Sequence, residues 1–330
     1  MKKYIKTFFA CCIFLFADKV AFAKNPVLSG YLKIDEKVSI YYETHGNKNG
    51  VPVLVFHGGP GNGMDQKMLR FFDLKKYYVI LFDQRGCGKS IPVGVFKENT
   101  TQDIIEDARL LISHLDIKKY RIYGYSWGST LALNYAQKYP ENIEKMILSG
   151  VFLARKVDDE NWININKIIF PDYYEDLISI LPSEKDILSQ YYDLICVQKD
   201  ENLRKIAAAK FHNFHIPISK MFTNENQLEK PLKPEEITDE AMLEMQIYLA
   251  YTKNNFFLDE NNWINAEKMK IINDNIPTVI LKSRYDLDAF FNQGWQLKKL
   301  LPNAQFITIY GAGHGKYDKN NEIEITKALK

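Results

Sequence analysis

Apolar and polar residues alternate along Tyr31–Ile34 and again along Val38–Glu43, on either side of Asp35-Glu36-Lys37. Period-two alternation around a short polar turn predicts an antiparallel hairpin with one buried face. Beyond it the texture changes. Val51–Phe56, Tyr77–Phe82, Tyr120–Tyr123, Lys145–Leu148, Pro277–Leu281 and Gln305–Ile309 are short, nearly continuous apolar runs. Such runs suit parallel strands covered by helices on both faces. Between them the apolar period lengthens. Thr101–Leu115 sets Ile104, Ala108, Leu111 and Leu115 at helical spacing and carries Asp103, Glu106 and Asp107 toward its start, where acids suit the positive end of the helix dipole. Ser129–Tyr139, Phe290–Leu301 and Glu322–Leu329 are further helical runs. Strands alternating with helices predict an α/β fold: a doubly wound, mostly parallel sheet whose ligands sit at the carboxyl ends of the strands.

The alternation stops after Gly150 and resumes near Ile271. The stretch between has few strand-like runs, many aromatics, and helical patterns that include Glu184–Cys196, Glu201–Phe211 and Glu240–Thr252. Pro171, Pro182, Pro217, Pro231 and Pro234 are expected to punctuate it into short helices. The division expected is a core of residues 24–150 and 271–330, with residues 151–270 inserted as a helical cap over the strand ends.

Met1–Ala23 stands apart. Lys2, Lys3 and Lys6 open it, Thr7–Ala17 is apolar, and Ala21-Phe22-Ala23 is a small-x-small cleavage signature. This is the pattern of a secretory signal peptide, with an apolar stretch too short to span a membrane comfortably. Export, to a periplasm or the exterior, is the expected consequence, without stable membrane insertion of the mature chain. The segment holds Lys2, Lys3, Lys6 and Lys19 against Asp18, so its removal takes the formal charge from +2 to −1. No basic surplus then remains to suggest nucleic acid or anionic lipid as a partner. Cys11 and Cys12 leave with the leader, and Cys87 and Cys196 remain, too few for a disulfide framework. Zinc-type spacing is absent, so neither a metal nor another cofactor is expected.

Gly124-Tyr125-Ser126-Trp127-Gly128 follows the strand Tyr120–Tyr123 and leads into the helical run Ser129–Tyr139. A serine between two glycines on a strand-to-helix turn is held at a sharp bend with its hydroxyl exposed. His57-Gly58-Gly59-Pro60-Gly61 follows another buried strand, and together the two segments point to serine-hydrolase chemistry. A serine hydroxyl needs a base, usually a histidine oriented by a carboxylate. On the doubly wound hydrolase scaffold the order is serine, acid, histidine. Of the six histidines, His45, His57 and His114 precede Ser126, and His212 and His215 fall in the insertion. That leaves His314, in a glycine-rich loop after the last strand. Asp286 is the first carboxylate after Pro277–Leu281, and Asp288 is the alternative two residues on. The backbone N–H groups of Trp127 and Gly59 are the expected oxyanion donors. His57 is expected to be structural.

His57–Gly61 (HGGPG), Asp83–Ser90 (DQRGCGKS) and Gly124–Ser129 (GYSWGS) together resemble the prolyl aminopeptidases, or proline iminopeptidases. Ser283-Arg284-Tyr285-Asp286 and Gly311–His314 resemble that family's acid and histidine segments. The resemblance implies an α/β-hydrolase fold and a serine peptidase that releases an N-terminal residue, preferably proline, from short peptides with a free N-terminus. It also implies that Asp83–Ser90 is a scaffold loop beside the site. In the family, two cap glutamates hold the substrate amine. Glu244, in Ala241-Met242-Leu243-Glu244, resembles one of them, whereas His215 stands where the other is expected. Tyr125 replaces a more usual glycine before the serine. An esterase or amidase using the same three residues, without free-amine specificity, is the alternative.

Overall fold

The computed structural model describes residues 25–95, 97–220, 230–259 and 262–330. The leader expected over Met1–Ala23 lies outside them. Strands β1 (Leu28–Lys33) and β2 (Ser39–Gly46) form the expected hairpin, in register from Leu28 opposite Thr44 to Lys33 opposite Ser39. Its strands outrun the alternating stretches at the open end, where the ladder continues to Leu28 opposite Thr44, and stop one residue short of them at the turn.

The remaining strands are β3 (Val51–Phe56), β4 (Tyr77–Phe82), β5 (Tyr120–Tyr125), β6 (Ile143–Ser149), β7 (Thr278–Ser283) and β8 (Gln305–Ile309). Among the described residues these eight strands make one sheet in the order β1-β2-β4-β3-β5-β6-β7-β8, in which β2 pairs antiparallel with β1 and with β4 and every other pair is parallel. From β3 the chain winds outward to β4, then returns to lay β5 on the other side. At such a reversal the loops leaving two neighbouring strands diverge and leave a crevice at their carboxyl ends. The loops after β3 and β5 carry His57–Gly61 and Ser126.

Helices α1 (Thr101–His114) and α2 (Trp127–Lys138) cover one face of the sheet. Their Ile104, Leu111, Leu131 and Ala132 pack on Leu54, Ile80, Ile122 and Leu148. The residues next to these along the strands, Val53, Val79, Tyr123 and Ile147, point to the opposite face, as a two-residue period requires. Continuous apolar strands thus feed two cores.

Between β6 and β7 come α3 (Lys156–Ile169), α4 (Pro171–Ile178), α5 (Ile187–Tyr192), α6 (Glu201–Ser219) and α7 (Asp239–Lys253). They share a third apolar cluster that includes Trp162, Leu177, Tyr191, Phe211, Phe214 and Leu249. The helical pattern over Glu184–Cys196 resolves into the short α5 followed by a π turn at Asp193–Val197. Pro217 does not cut α6 short. It sits in the last turn, where the lost N–H disturbs little of the helix before it. Helix α7 joins the layers, with Leu249 in the insertion's cluster and Ile247 and Tyr251 in the main core.

Helix α8 (Ala266–Asn275) spans the point where the alternation resumes at residue 271, and its Met269 and Ile272 belong to the main core. Helix α9 (Phe291–Leu300) adds Leu297 to that core, and α10 (Lys319–Leu329) closes the opposite face with Ile325 and Leu329.

Candidate active site

Ser126 occupies a backbone conformation, φ 54° and ψ −124°, that side chains other than hydrogen rarely adopt. Its surroundings enforce the bend. Its N–H donates to the Ser149 carbonyl at 3.0 Å, and its own carbonyl accepts from the N–H of Ser129 at 2.7 Å. The flanking glycines are required by space. A Cβ at Gly128 would lie 2.0 Å from the carbonyl oxygen of Phe56, and one at Gly124 would lie 2.5 Å from that of Gly128. Strand β5 and helix α2 therefore meet at a turn too tight for side chains, and the serine hydroxyl is presented outward.

The hydroxyl faces His314. Ser126 Oγ lies 3.0 Å from His314 Nε2, and on the far side of the ring Nδ1–H donates to Asp286 Oδ2 at 3.0 Å and Oδ1 at 3.1 Å. Asp286 is held from below, its Oδ1 accepting from the N–H groups of Asp288 at 3.0 Å and Ala289 at 2.9 Å. The His314 loop is also braced. Tyr125 donates its hydroxyl to the His314 carbonyl at 2.7 Å, the Gly313 N–H donates to Asp318 Oδ2 at 2.8 Å, and Asn321 donates to the carbonyls of Gly313 and Gly315. Tyr125, a departure from glycine, thus anchors the loop that bears the imidazole.

Of the two candidate acids, Asp286 contacts Nδ1. Asp288 lies on the other side, its Oδ2 3.8 Å from His314 Nε2, and it accepts from His215 Nε2–H at 3.2 Å. Burial pulls the His314 imidazole down, but Asp286 and then Asp288 outweigh it, so its net displacement from the ordinary range is upward. Burial alone would raise Asp286; His314 and Lys282 beside it win, and its carboxyl sits well below the usual range.

Gly59 lines the same cavity as Ser126, and Trp127 opens α2 directly after the serine. Among the described residues neither backbone N–H is committed to a hydrogen bond. The Trp127 side chain is fully buried and donates to Gln84 Oε1. The ring hydrogen bonds of His57 go elsewhere than Ser126. Its Nδ1–H donates to the Gly58 carbonyl at 2.8 Å, its Nε2 accepts from the Gln84 N–H at 3.1 Å, and burial lowers it to about 4. Next to it, Asp83 accepts from the N–H groups of Met64 and Lys89, which ties the Asp83–Ser90 loop to the rim of the site.

One cavity of about 950 Å³ brings Ser126, His314, Gly59, Glu244, His215 and Asp288 together, roofed by α3, α6 and α7. Burial raises the Glu244 carboxyl to about 6, Glu240 adds to the effect, and His215 opposes it. Asp159, deeper in the roof, is pushed well above its ordinary value by burial. Cys87 and Cys196 are both free thiols. Among the described residues no group of His, Cys, Asp or Glu side chains could hold a metal ion, and no helix is long and apolar enough to cross a membrane.

Sequence reasoning missed Lys282, whose ammonium donates to Asp286 Oδ2 at 2.7 Å. The available signal was a lone charge at the end of an apolar strand, four residues before the acid. Asp159 gave no such signal, since it lies in a charged run that reads as a solvated helix start.

Comparison with known proteins identifies the fold and the family. A family model described as the alpha/beta hydrolase fold matches residues 51–320. A Leptolyngbya boryana protein named "Probable proline iminopeptidase" is 35% identical over 298 residues, covering 88% of this chain and 89% of the relative. The proline iminopeptidase of Xylella fastidiosa (strain 9a5c) is 33% identical over 300 residues, covering 90% and 94%. Among solved structures, an alpha/beta hydrolase enzyme from a Medee basin deep-sea metagenome library superimposes with a TM-score of 0.60 at 20% identity, covering 91% of this chain and 96% of the other.

Proposed function

The chain belongs to the proline iminopeptidase family of α/β hydrolases, and from that membership we propose that it releases the N-terminal residue, preferably proline, from short peptides. Ser126 is the nucleophile in this proposal, His314 the base and Asp286 the residue that orients it. The observation that carries it is the continuous contact from Ser126 Oγ to His314 Nε2, at 3.0 Å, and from Nδ1 to Asp286, at 3.0 Å.

The chemistry follows from these positions. Ser126 Oγ attacks the carbonyl carbon of the N-terminal residue while its proton passes to His314 Nε2. Asp286 holds the Nδ1–H tautomer and stabilises the imidazolium. The oxyanion is met by the N–H groups of Trp127 and Gly59, each such donor being worth roughly 3–4 kcal/mol in the transition state. The tetrahedral intermediate collapses, the C–N bond breaks, and Nε2 returns its proton to the leaving amine. Water then attacks the acyl-enzyme by the same route and frees Ser126. Glu244, in the roof of the cavity, holds the substrate ammonium, and the roof helices act as a cap that limits the substrate to short peptides. Residues 1–23 direct export, which N-terminal sequencing of the secreted chain would test by a start at Lys24.

The deciding assay pairs an L-prolyl arylamide with its N-acetylated form and with a simple acyl ester. Cleavage of the free-amine compound with at least tenfold discrimination against the acetylated one is expected, on the order of one lost charge-assisted hydrogen bond. Preference for the ester, with the prolyl arylamide untouched, would make the chain an esterase and remove the aminopeptidase assignment.

A further inference from the structure

Strand β7 is buried along its whole length, yet it carries Lys282, whose exposure is 0%. A lysine out of water is tolerated only where other groups replace its hydration. Three acceptors do so. Its Nζ donates to Asp286 Oδ2 at 2.7 Å, to the Val151 carbonyl at 3.2 Å and to the Ala289 carbonyl. They match the three N–H donors of an ammonium group. Space for the stem comes from Gly294 on α9, where a Cβ would lie 2.8 Å from Lys282 Cγ. The cradle therefore suits a cation, and the cation is attached to Asp286.

Taking Ser126, His314 and Asp286 as the catalytic relay proposed above, we propose that Lys282 is its positioning residue: it pins the Asp286 carboxylate and offsets part of that charge. Oxygen Oδ2 of Asp286 is shared between Lys282 Nζ, at 2.7 Å, and His314 Nδ1, at 3.0 Å. The imidazole is thus one shared oxygen from a fixed positive charge. Other groups facing it are Asp286 and Asp288 from the loop after β7, and Asp318 ahead of α10. Tyr125 at the end of β5 packs on its ring with Lys316 above, and His215 of α6 acts through Asp288. The carboxylates favour the imidazolium, and Lys282 opposes them. A base that must be neutral to accept the serine proton gains from that opposition, because it stays available at lower pH. The cost is a weaker hold on the imidazolium once it forms.

The test replaces Lys282 with Met, of similar volume without charge, and with Gln, which keeps an N–H donor. The readout is the rate of Ser126 labelling by a fluorophosphonate as a function of pH, which needs a neutral His314 but no substrate amine. Removing the cation should move the acid limb up by about one pH unit in both variants, seen as roughly tenfold slower labelling at a fixed pH on that limb. A uniform loss at every pH with an unmoved midpoint would reduce Lys282 to a packing residue and overturn the proposal, as would a downward shift. The assay is independent of substrate preference, so failure of the aminopeptidase assignment leaves this outcome readable. Unlabelled wild-type protein would instead remove the relay itself.

Discussion

Asp288 holds Oδ2 3.8 Å from His314 Nε2, on the side of the imidazole that meets Ser126 rather than the side that meets Asp286. Two carboxylates therefore flank one imidazole. Asp288 pushes the imidazole up, second only to Asp286 among the groups that do so. Asp288→Asn removes the charge and keeps the shape, so His314 should lose its proton at lower pH. The acid limb of the pH–rate profile is expected to move down by roughly half a unit to one unit, opposite in sign to the Lys282 variants. Profiles on an uncharged acyl ester isolate this effect from amine binding. An unmoved limb would show that the field of Asp288 does not act on His314.

Ser126 holds its bend at φ 54° and ψ −124°, a region that costs a residue with a Cβ about 1–3 kcal/mol. Ser126→Gly should relieve part of that strain and stabilise the fold by about 1 kcal/mol, after the added freedom of the unfolded chain is counted. Ser126→Ala keeps the Cβ and should give no such gain. Both variants should lose at least about a thousandfold in turnover. Thermal melts of the three proteins decide the matter. Equal melting temperatures for the Gly and Ala variants would mean that the surrounding backbone, not the residue's own conformation, bears the cost.

How far the chain could be read follows from how local each feature is. Strand positions such as Val53 and Leu54 were legible because burial on both faces leaves a continuous apolar run. Ser126 was legible because the glycines that admit its bend are two residues away on either side. His314 and Asp286 were reached through chain order and strand ends, with Asp288 still open as the acid. What the sequence concealed depends on packing between distant segments. The contact between His215 and Asp288 spans 73 positions and exists because α6 lies across the loop after β7. Lys282 was concealed differently: its cradle is built from Val151, Ala289 and the space at Gly294, and no local pattern announces that a buried charge will be matched. Pro217 misled because a proline's cost depends on where the helix ends, which is set by the apolar contacts of Phe214 and Ile218 in the insertion's cluster.

As the proposed amine anchor, Glu244 should tie substrate affinity to pH in a way that separates it from His314. Burial raises its carboxyl to about 6, and only the ionised form attracts a substrate ammonium. As pH falls through about 6, Glu244 gains a proton and the attraction is lost, so KM for a prolyl arylamide should rise on the acid side. The same fall in pH protonates His314 and lowers kcat, but that effect is common to every substrate. Glu244→Gln should therefore raise KM for free-amine substrates by about tenfold above pH 7, leave kcat little changed, and remove the rise of KM below pH 6. KM for the N-acetylated arylamide or an acyl ester should not follow this pattern in either protein. A KM that still climbs through pH 6 in the Gln variant would move the amine contact to another carboxylate of the cavity, with Asp288 and Asp159 the residues to exchange next.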